Sequence, residues 1–395
     1  MKINRRKFLQ GIGITAVAVV GGGVYRAVDQ GVFASGTGPA YEEWTDWRDE
    51  PAEGALRLVQ SAILAANPHN TQPWLFQVSE NQIELYADTS RHLGTMDPYL
   101  REMHIGLGCA IENMMITAAA TGFDAEYVLV DGELSPPKAT PQIEKVATIT
   151  LSPGEAQSSL LFDAIPNRHT NRYNYDNARS VDQGKLDEMA ALVADDVNVR
   201  IFTYGKDAQP FQQIAQATIA STEAIVADHE MAYDSYRWMS LTWDEVQEEK
   251  DGPFIDTAGL PGFLRAVIKM LPPMSQKQID SGWVSGTATS LENTDVLGFI
   301  AVSNLYSREG TLQAGRIWQR MHLWATTNGL VMQPINQMPE VVDRDLQLGQ
   351  ESATATLMDE ITGEPAWRPT FVFRLGYPLN EVLPSARRSV EEVLV

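Results

Sequence analysis

Arg168, His169, Thr170 and Arg172 fall within the five residues RHTNR, which set two guanidiniums, an imidazole and a hydroxyl side by side. Forked guanidinium donors match the oxygens of a terminal phosphate, and a neighbouring hydroxyl supplies one more donor. A second basic point, Arg387-Arg388, stands near the end of an otherwise acidic chain. Far upstream, AANPHNTQPWLFQV (Ala65 to Val78) packs two prolines, two asparagines, a histidine and a glutamine between apolar runs. Pro68 and Pro73 fix their own φ and push Asn67 and Gln72 toward extended geometry. The amides of Asn67, Asn70 and Gln72 are then pre-aimed groups that both donate and accept. They suit a planar ring whose edge alternates N–H and C=O, such as the pyrimidine of a flavin. Trp74 reads as the core anchor of the strand that follows, and His69 as a loop hydrogen-bonder rather than a base.

Regular elements must hold these groups. Helical spacing from Gly54 to Ala66 puts Leu56, Val59, Ile63 and Leu64 on one face. WLFQV and QIELYAD, behind the loop, read as strands. A long apolar helix from about Arg101 ends at Gly122 in a C-cap, and a strand follows. The second half replays this order, with a helix from about Lys185, a strand from about Val197 and a long helix ending near Gly329. Gly108 and Gly122 are fourteen residues apart, and so are Gly315 and Gly329. Between them Ile111 pairs with Trp318, Met114 with Met321, Ile116 with Leu323 and Ala118 with Ala325. The apolar strand TFVFRLGYP closes the second half.

The pattern reads as an internal duplication of one α+β unit and not as a solenoid, because there are only two copies. The amide-rich loop occurs only in the first copy, and RHTNR only ahead of the second. A duplicated dimer that kept one of its two equivalent sites would look this way.

At 395 residues there is ample material for a core or for two domains. The net charge of −21 and pI ≈ 4.7 repel phosphate backbones and anionic headgroups, which disfavours nucleic acid and peripheral membrane binding. A bound anion therefore needs a local arginine cluster. Cys109 is the one cysteine, so an internal disulfide is excluded, and its neighbours suggest a buried helical position. Six histidines without H-x-x-x-H or H-E-x-x-H spacing point to no metal centre.

Residues 1–35 read as an address. Arg5-Arg6, then Lys7-Phe8-Leu9 and an apolar run from Ile12 to Val20, resemble a twin-arginine export signal. The run is short for ~30 Å of hydrocarbon. Cleavage after Ala34 or retention as a short anchor both fit the pattern, and 36–50 reads as a linker. That route carries folded proteins, which suits one that acquires a cofactor before leaving the cytoplasm. No transmembrane domain is expected in the mature form.

HNTQPWLF, RHTNR, the helix ending ATTNGL, and LGYP followed by ARRSVEEV together resemble the nitroreductase family of FMN-dependent oxidoreductases. More narrowly they resemble its internally duplicated Acg-like branch, over residues 50–395. The middle stretch EMAYDSYRWMSLTWDEVQEEKDGPF is similar to that branch's insertion. The resemblance implies an α+β, nitroreductase-like fold in which two tandem copies, 51–155 and 156–395, form an intramolecular pseudo-dimer. An insertion at 228–293, rich in aromatics, would act as a lid.

The resemblance also implies FMN between the halves. Arg168, Thr170 and Arg172 would meet the phosphate, ribityl chain and ring edge, with His169 beside them. Arg388 and Arg387 would add to the phosphate site. Asn67, Pro68 and Asn70 would pack along the flavin from the other half, and Asn336 or Gln337 would present a backbone N–H to its N5. His169 stands where the family has a second basic residue, and Asn67-Pro68 where it has a Pro-Ser placed differently. The expected function is an exported, periplasmic FMN-dependent oxidoreductase passing electrons through flavin N5 to a nitroaromatic- or quinone-like acceptor. No catalytic side chain is named, the reductant is open, and two chains could pair further. The rival expectation is a non-catalytic flavin-sequestering or redox-sensing protein. A nicotinamide-binding fold is disfavoured by the lack of G-x-G-x-x-G opening a β–α unit.

Overall fold

The computed structural model describes residues 23–193 and 196–395, so the paired arginines and apolar run of the expected export signal lie outside the described residues. Residues 23–29 form α1. The first unit follows as α2 (Glu42–Asp49), α3 (Ala55–Ala62), β1 (Trp74–Val78), β2 (Gln82–Asp88), α4 (Arg101–Thr121), β3 (Phe123–Leu129) and β4 (Ile143–Pro153). The second opens with α5 (Leu160–Ala164), α6 (Gln183–Ala191) and β5 (Val199–Gly205). A helical excursion comes next: α7 (Gln209–Ala227), α8 (His229–Tyr236), α9 (Trp243–Glu249), α10 (Gly262–Met270) and α11 (Gln276–Glu292). The unit closes with β6 (Val296–Val302), α12 (Arg308–Thr327), β7 (Val331–Pro334), α13 (Gln337–Gln347), α14 (Ala353–Thr362) and β8 (Arg368–Gly376).

The strands make two four-stranded antiparallel sheets with orders β1-β2-β4-β3 and β5-β6-β8-β7. First, second, fourth, third is the order in both. The α+β class and the arrangement in two like units are those expected from the sequence. Gly122 caps α4 at φ 85, donating to Ala118 O, as its position after the last apolar turn requires. The buried stripe of α3 runs through Leu58 and Val59 to Ile63 and Leu64, whereas Leu56 is turned out to solvent. Three strands escaped the sequence reading. In β6, Val-Leu-Gly-Phe-Ile-Ala-Val is buried at every position, because strands flank it and α7 and α12 pack on it. Such a run carries no alternation to mark it as a strand.

The units are joined through α4 and α12, which cross at Gly108 and Gly315. A Cβ on Gly108 would lie 2.1 Å from Leu312 O, and one on Gly315 would lie 2.0 Å from Ile105 O. Gly108 and Leu312 exchange roles with Gly315 and Ile105 at the same sequence offset, which is the signature of a two-fold contact. Cys109 is buried there, donating its thiol to Gly315 O at 3.2 Å. One continuous apolar core runs from Trp74 and Phe76 through Ile111 and Trp318 to Phe373.

Beyond β8 the chain returns to the first unit. Arg387 N donates to Ala40 O at 2.8 Å, and Val395 N donates to Phe76 O at 3.0 Å. Leu394 bridges Phe76 and so covers the open edge of β1. This crossing brings Arg387 to the amide-rich loop. Between β5 and β6 the excursion runs from Lys206 to Asp295, whereas β1 and β2 are joined by a tight turn at 79–81. The insertion expected at 228–293 is therefore longer at its N-terminal side, where α7 packs on the second sheet. Among the described residues no helix is long and apolar enough to cross a membrane.

Candidate functional site

Arg168 emerges from the turn Ile165–Asn167, and Arg387 from the returning tail; both are buried to 2% exposure. Arg168 donates to Leu64 O at 3.2 Å and lies 3.4 Å from His322 Nδ1. Arg387 donates to Asn70 Oδ1 at 2.5 Å, Ser385 Oγ at 2.7 Å and Ala65 O at 3.2 Å. Among the described residues neither has a carboxylate within ion-pair distance, and the Nε of each is buried without a partner. Burial pushes the Arg168 guanidinium down to about 10. It also holds Arg387 well below its ordinary value, with the Arg168 charge adding to the effect. His169, edge-on to Trp44 at 4.5 Å, is pushed down to about 3 by burial and by these two cations. Two desolvated cations without a counter-ion are costly in a fold. They open on a small hollow of ≈ 50 Å³ lined also by Thr170, where an anion would compensate them.

The hollow continues into a cavity of ≈ 600 Å³, with Asn67, His69, Thr170, Arg172, Pro253 and Thr257 lining both. The first unit supplies Pro68 and Gly106 to its wall, and the second supplies Trp318, Asn336, Gln337 and Phe371. The excursion supplies an apolar wall that includes Trp243, Phe254, Ile268 and Trp283. It also packs on RHTNR itself: a Cβ on Gly259 would lie 2.3 Å from Arg172 O, and Arg172 donates to Thr257 O at 3.3 Å. The cavity is thus walled by both units and roofed by the excursion. A mostly apolar molecule with an anionic end matches this lining.

The amide-rich loop differs in part from its sequence reading. Asn67 is extended, at φ −158 and ψ 159. His69, Asn70 and Gln72, however, sit at φ 45, 55 and 48, so the extended geometry expected at Gln72 is not adopted. Asn67 Oδ1 accepts from Gln72 N at 2.8 Å and closes the turn against the local preference before proline. Left-handed backbone at such residues costs about 1–2 kcal/mol each. The Gln72 side chain donates to Lys250 O and accepts from Arg388 N, both at 2.8 Å. The Arg388 guanidinium donates to Gln72 O and Glu392 O. Neither Gln72 nor Arg388 lines the two cavities; they tie the loop, the excursion and the tail together. Asn70 lines the small hollow and holds Arg387, accepting from its guanidinium and donating to Ala386 O at 2.9 Å. His69 Nε2 lies 3.1 Å from Ser235 Oγ on the excursion.

The sequence reading missed the acidic floor of the cavity. Glu102, next to Arg101 at the start of α4, and Glu340 on α13 both line it, each 5% exposed. Glu102 Oε1, Glu340 Oε2 and Gln337 Oε1 have no hydrogen-bond partner. Arg101 donates to Asp343 at 2.7 Å, and its guanidinium lies 3.9 Å from Glu102 Oε1, beyond hydrogen-bond distance. Burial pushes Glu102 up to about 8 and raises Glu340 well above the carboxylate range, with Glu102 adding to the latter. Burial thus favours the protonated form of both, in which a carboxyl can donate a hydrogen bond into the cavity. In the sequence Glu102 resembles the solvent face of a helix start, and its partners lie more than two hundred residues away.

No protein-family model matches the chain. “Putative NAD(P)H nitroreductase Rv3131” of Mycobacterium tuberculosis is 26% identical over 347 residues, covering 87% of this chain and 91% of that protein. “Putative NAD(P)H nitroreductase acg” of the same organism is 25% identical over 347 residues, covering 85% and 93%. Among solved structures, the FMN-dependent nitroreductase NfnB from Mycobacterium smegmatis in complex with NADPH matches 59% of this chain and 96% of its own. That match has 12% identity and a TM-score of 0.37, too slight to support more. The chain is thus similar, along most of its length, to mycobacterial proteins named as NAD(P)H nitroreductases, Acg among them.

Proposed function

We propose that this protein is an FMN-dependent oxidoreductase of the nitroreductase type, in which two tandem units clasp a single FMN. The observation that carries the reading is the pair of buried, uncompensated guanidiniums, Arg168 and Arg387. They line the small hollow that adjoins a mostly apolar cavity, and their unpaired Nε atoms fit a phosphate dianion. Thr170 and Arg172 stand at the junction of the two spaces, where a polar chain would pass. Asn67 and Pro68 on one side, with Asn336 and Gln337 on the other, would hold the ring. FMN bound there supplies two-electron chemistry.

The residues of this chain position, exclude water and hold protons. The excursion roofs the cavity with apolar side chains, which strengthens every polar contact inside. Burial favours the protonated carboxyl at Glu102 and Glu340, which can then meet an acceptor oxygen. The wide apolar wall suits a nitroaromatic- or quinone-like acceptor. Export by the twin-arginine route into the periplasm, and descent of the two units from one ancestor by duplication, belong to the same proposal. The first rests on Arg5-Arg6 and the run after them, the second on the shared strand order and the Gly108–Gly315 crossing.

The test is spectroscopic. The purified protein should show bound flavin absorption, and after dithionite reduction it should be reoxidised rapidly by quinones or nitroaromatics. A colourless protein that takes up no FMN would remove the reading. A yellow protein indifferent to every acceptor would make it a flavin-sequestering one.

A further inference from the structure

The excursion carries a surface that the oxidoreductase reading does not use. Helix α10 turns Phe263, Leu264, Val267 and the adjoining Leu271 outward, at 82%, 41%, 38% and 55% exposure. Its opposite side is held by Lys269, buried and paired with Asp256 at 2.8 Å. Beside it lies α1, whose Val24, Tyr25 and Val28 are 56%, 73% and 63% exposed. The two helices are fastened together, because Arg26 donates to Met270 O at 2.8 Å and to Leu271 O at 3.0 Å. Lys269 also donates to Gly31 O at 3.1 Å. The cations of this region are thereby turned to the protein: Arg26 and Lys269 as above, and Arg265 on Asp256 O at 2.8 Å. Apart from Asp29 at the end of α1, what remains outward on the two helices is apolar, and contiguous exposed apolar side chains mark an interaction surface.

Two further observations say what covers it. In the sequence the apolar run Ile12–Val20 stands just ahead of α1. Leu264 and Leu271 also line the large cavity, so the patch borders the cavity's rim. We propose that the exposed faces of α1 and α10 dock on a lipid bilayer beside the apolar run, which sets the cavity rim at the hydrocarbon. The attraction is burial of apolar side chains, as for an interfacial amphipathic helix. With a net charge of −21 the chain selects against anionic headgroups, so a zwitterionic surface is the partner. Molecules that partition into lipid would then reach the cavity without crossing water; this consequence rests on the cavity being the reaction chamber, whereas the docking surface does not.

The full chain is sedimented with phosphatidylcholine vesicles, with and without phosphatidylglycerol. It is compared with a Phe263→Ser/Val267→Ser/Val28→Ser variant, whose three sites are exposed and outside the cavity lining. A Val128→Ser/Ile143→Ser variant, altered on the exposed face of the first sheet, is the control. The expected result is binding to zwitterionic vesicles that is insensitive to salt and weakened by phosphatidylglycerol. The triple variant should bind at least tenfold less, and the control should be unchanged. Flavin absorption in the same samples should be alike for all three. Equal binding of the triple variant, or no vesicle binding by the parent, overturns the docking surface. Vesicle binding without flavin would overturn the oxidoreductase reading and leave docking standing.

Discussion

Gly108 and Gly315 meet backbone to backbone where α4 and α12 cross, each facing the carbonyl three residues before the other. They are also the two positions that the glycine spacing pairs between the halves. Close approach at this point fixes how the units face each other, and so how far Asn70 lies from Arg168 and Arg387. Gly108→Ala or Gly315→Ala gains up to about 1 kcal/mol of helix propensity. It must also push two helices apart, because the atom it meets is backbone, and overpacking of this kind costs about 1–3 kcal/mol. The net expectation is a lower melting temperature for each variant by differential scanning fluorimetry, with weaker flavin retention. An unchanged melting temperature would show that the crossing is looser than described.

Asn70 lines the small hollow and also holds the Arg387 guanidinium. Asn70→Ala removes the acceptor that aims that guanidinium while leaving the charge in place. FMN affinity should fall by roughly 10-fold, corresponding to about 1.4 kcal/mol for a lost hydrogen bond to a charged group. Removal of the charge in Arg387→Met should cost more. Flavin fluorescence titration of the two variants gives the order, and equal effects would contradict a positioning role.

Stability should be greatest in mildly acidic solution. Burial holds His69 and His104 down at about 4 and His169 at about 3, against an ordinary 6.5. The unfolded chain therefore takes up more protons as pH falls below 6.5. Stability present above that pH is lost toward pH 3–4, at up to about 1.4 kcal/mol per pH unit for each histidine. Glu102, held up at about 8 against an ordinary 4.5, acts in the opposite sense. Its contribution is present below pH 4.5 and is lost as pH rises toward 8. Urea unfolding of flavin-free protein should show stability rising from pH 4 to about 6 and falling toward 8. Glu102→Gln should make the alkaline limb shallower and leave the acid limb unchanged, Glu340 accounting for part of what remains.

Lys269 and Asp256 are a buried pair, 3% and 0% exposed in their side chains, and Ser35 Oγ donates to Asp256 at 2.9 Å. Lys269→Met leaves a buried carboxylate without its cation and should destabilise by about 3–5 kcal/mol. Adding Asp256→Asn should recover much of that loss, and a thermal double-mutant cycle measures the coupling. Because Gly31 O and Ser35 belong to the same cluster, the segment around Ala34 contributes to the fold. Proteolytic removal of residues up to Ala34 should lower the melting temperature measurably.

Much of this was legible in the chain. The glycine caps at Gly122 and Gly329 and the apolar stripes between them mark both long helices. Pro-flanked amides and clustered arginines mark two segments that line the candidate site. Long-range hydrogen bonding was not legible. Gln72 and Arg388 have the right types for a ligand, but they satisfy each other across 316 residues of sequence. Glu102 looks like a surface residue until α13 brings Glu340 and Gln337 over it. Strand β7 has four residues, too few for any periodicity, and β4 was masked by the polar turn ahead of it. Trp44 and His322, which pack on the RHTNR segment, carry no local signal at all.

The central claim is that one FMN phosphate neutralises Arg168 and Arg387 between two unequal units. Fluorescence titration of deflavinated protein with FMN tests it most directly, run on the parent chain and on Arg168→Met. The account predicts one FMN per chain and an affinity lowered about 100-fold or more in Arg168→Met. The flavin-free variant should be no less stable than the parent, because it loses a desolvated charge. Two FMN per chain, or parent-like affinity in Arg168→Met, would contradict it.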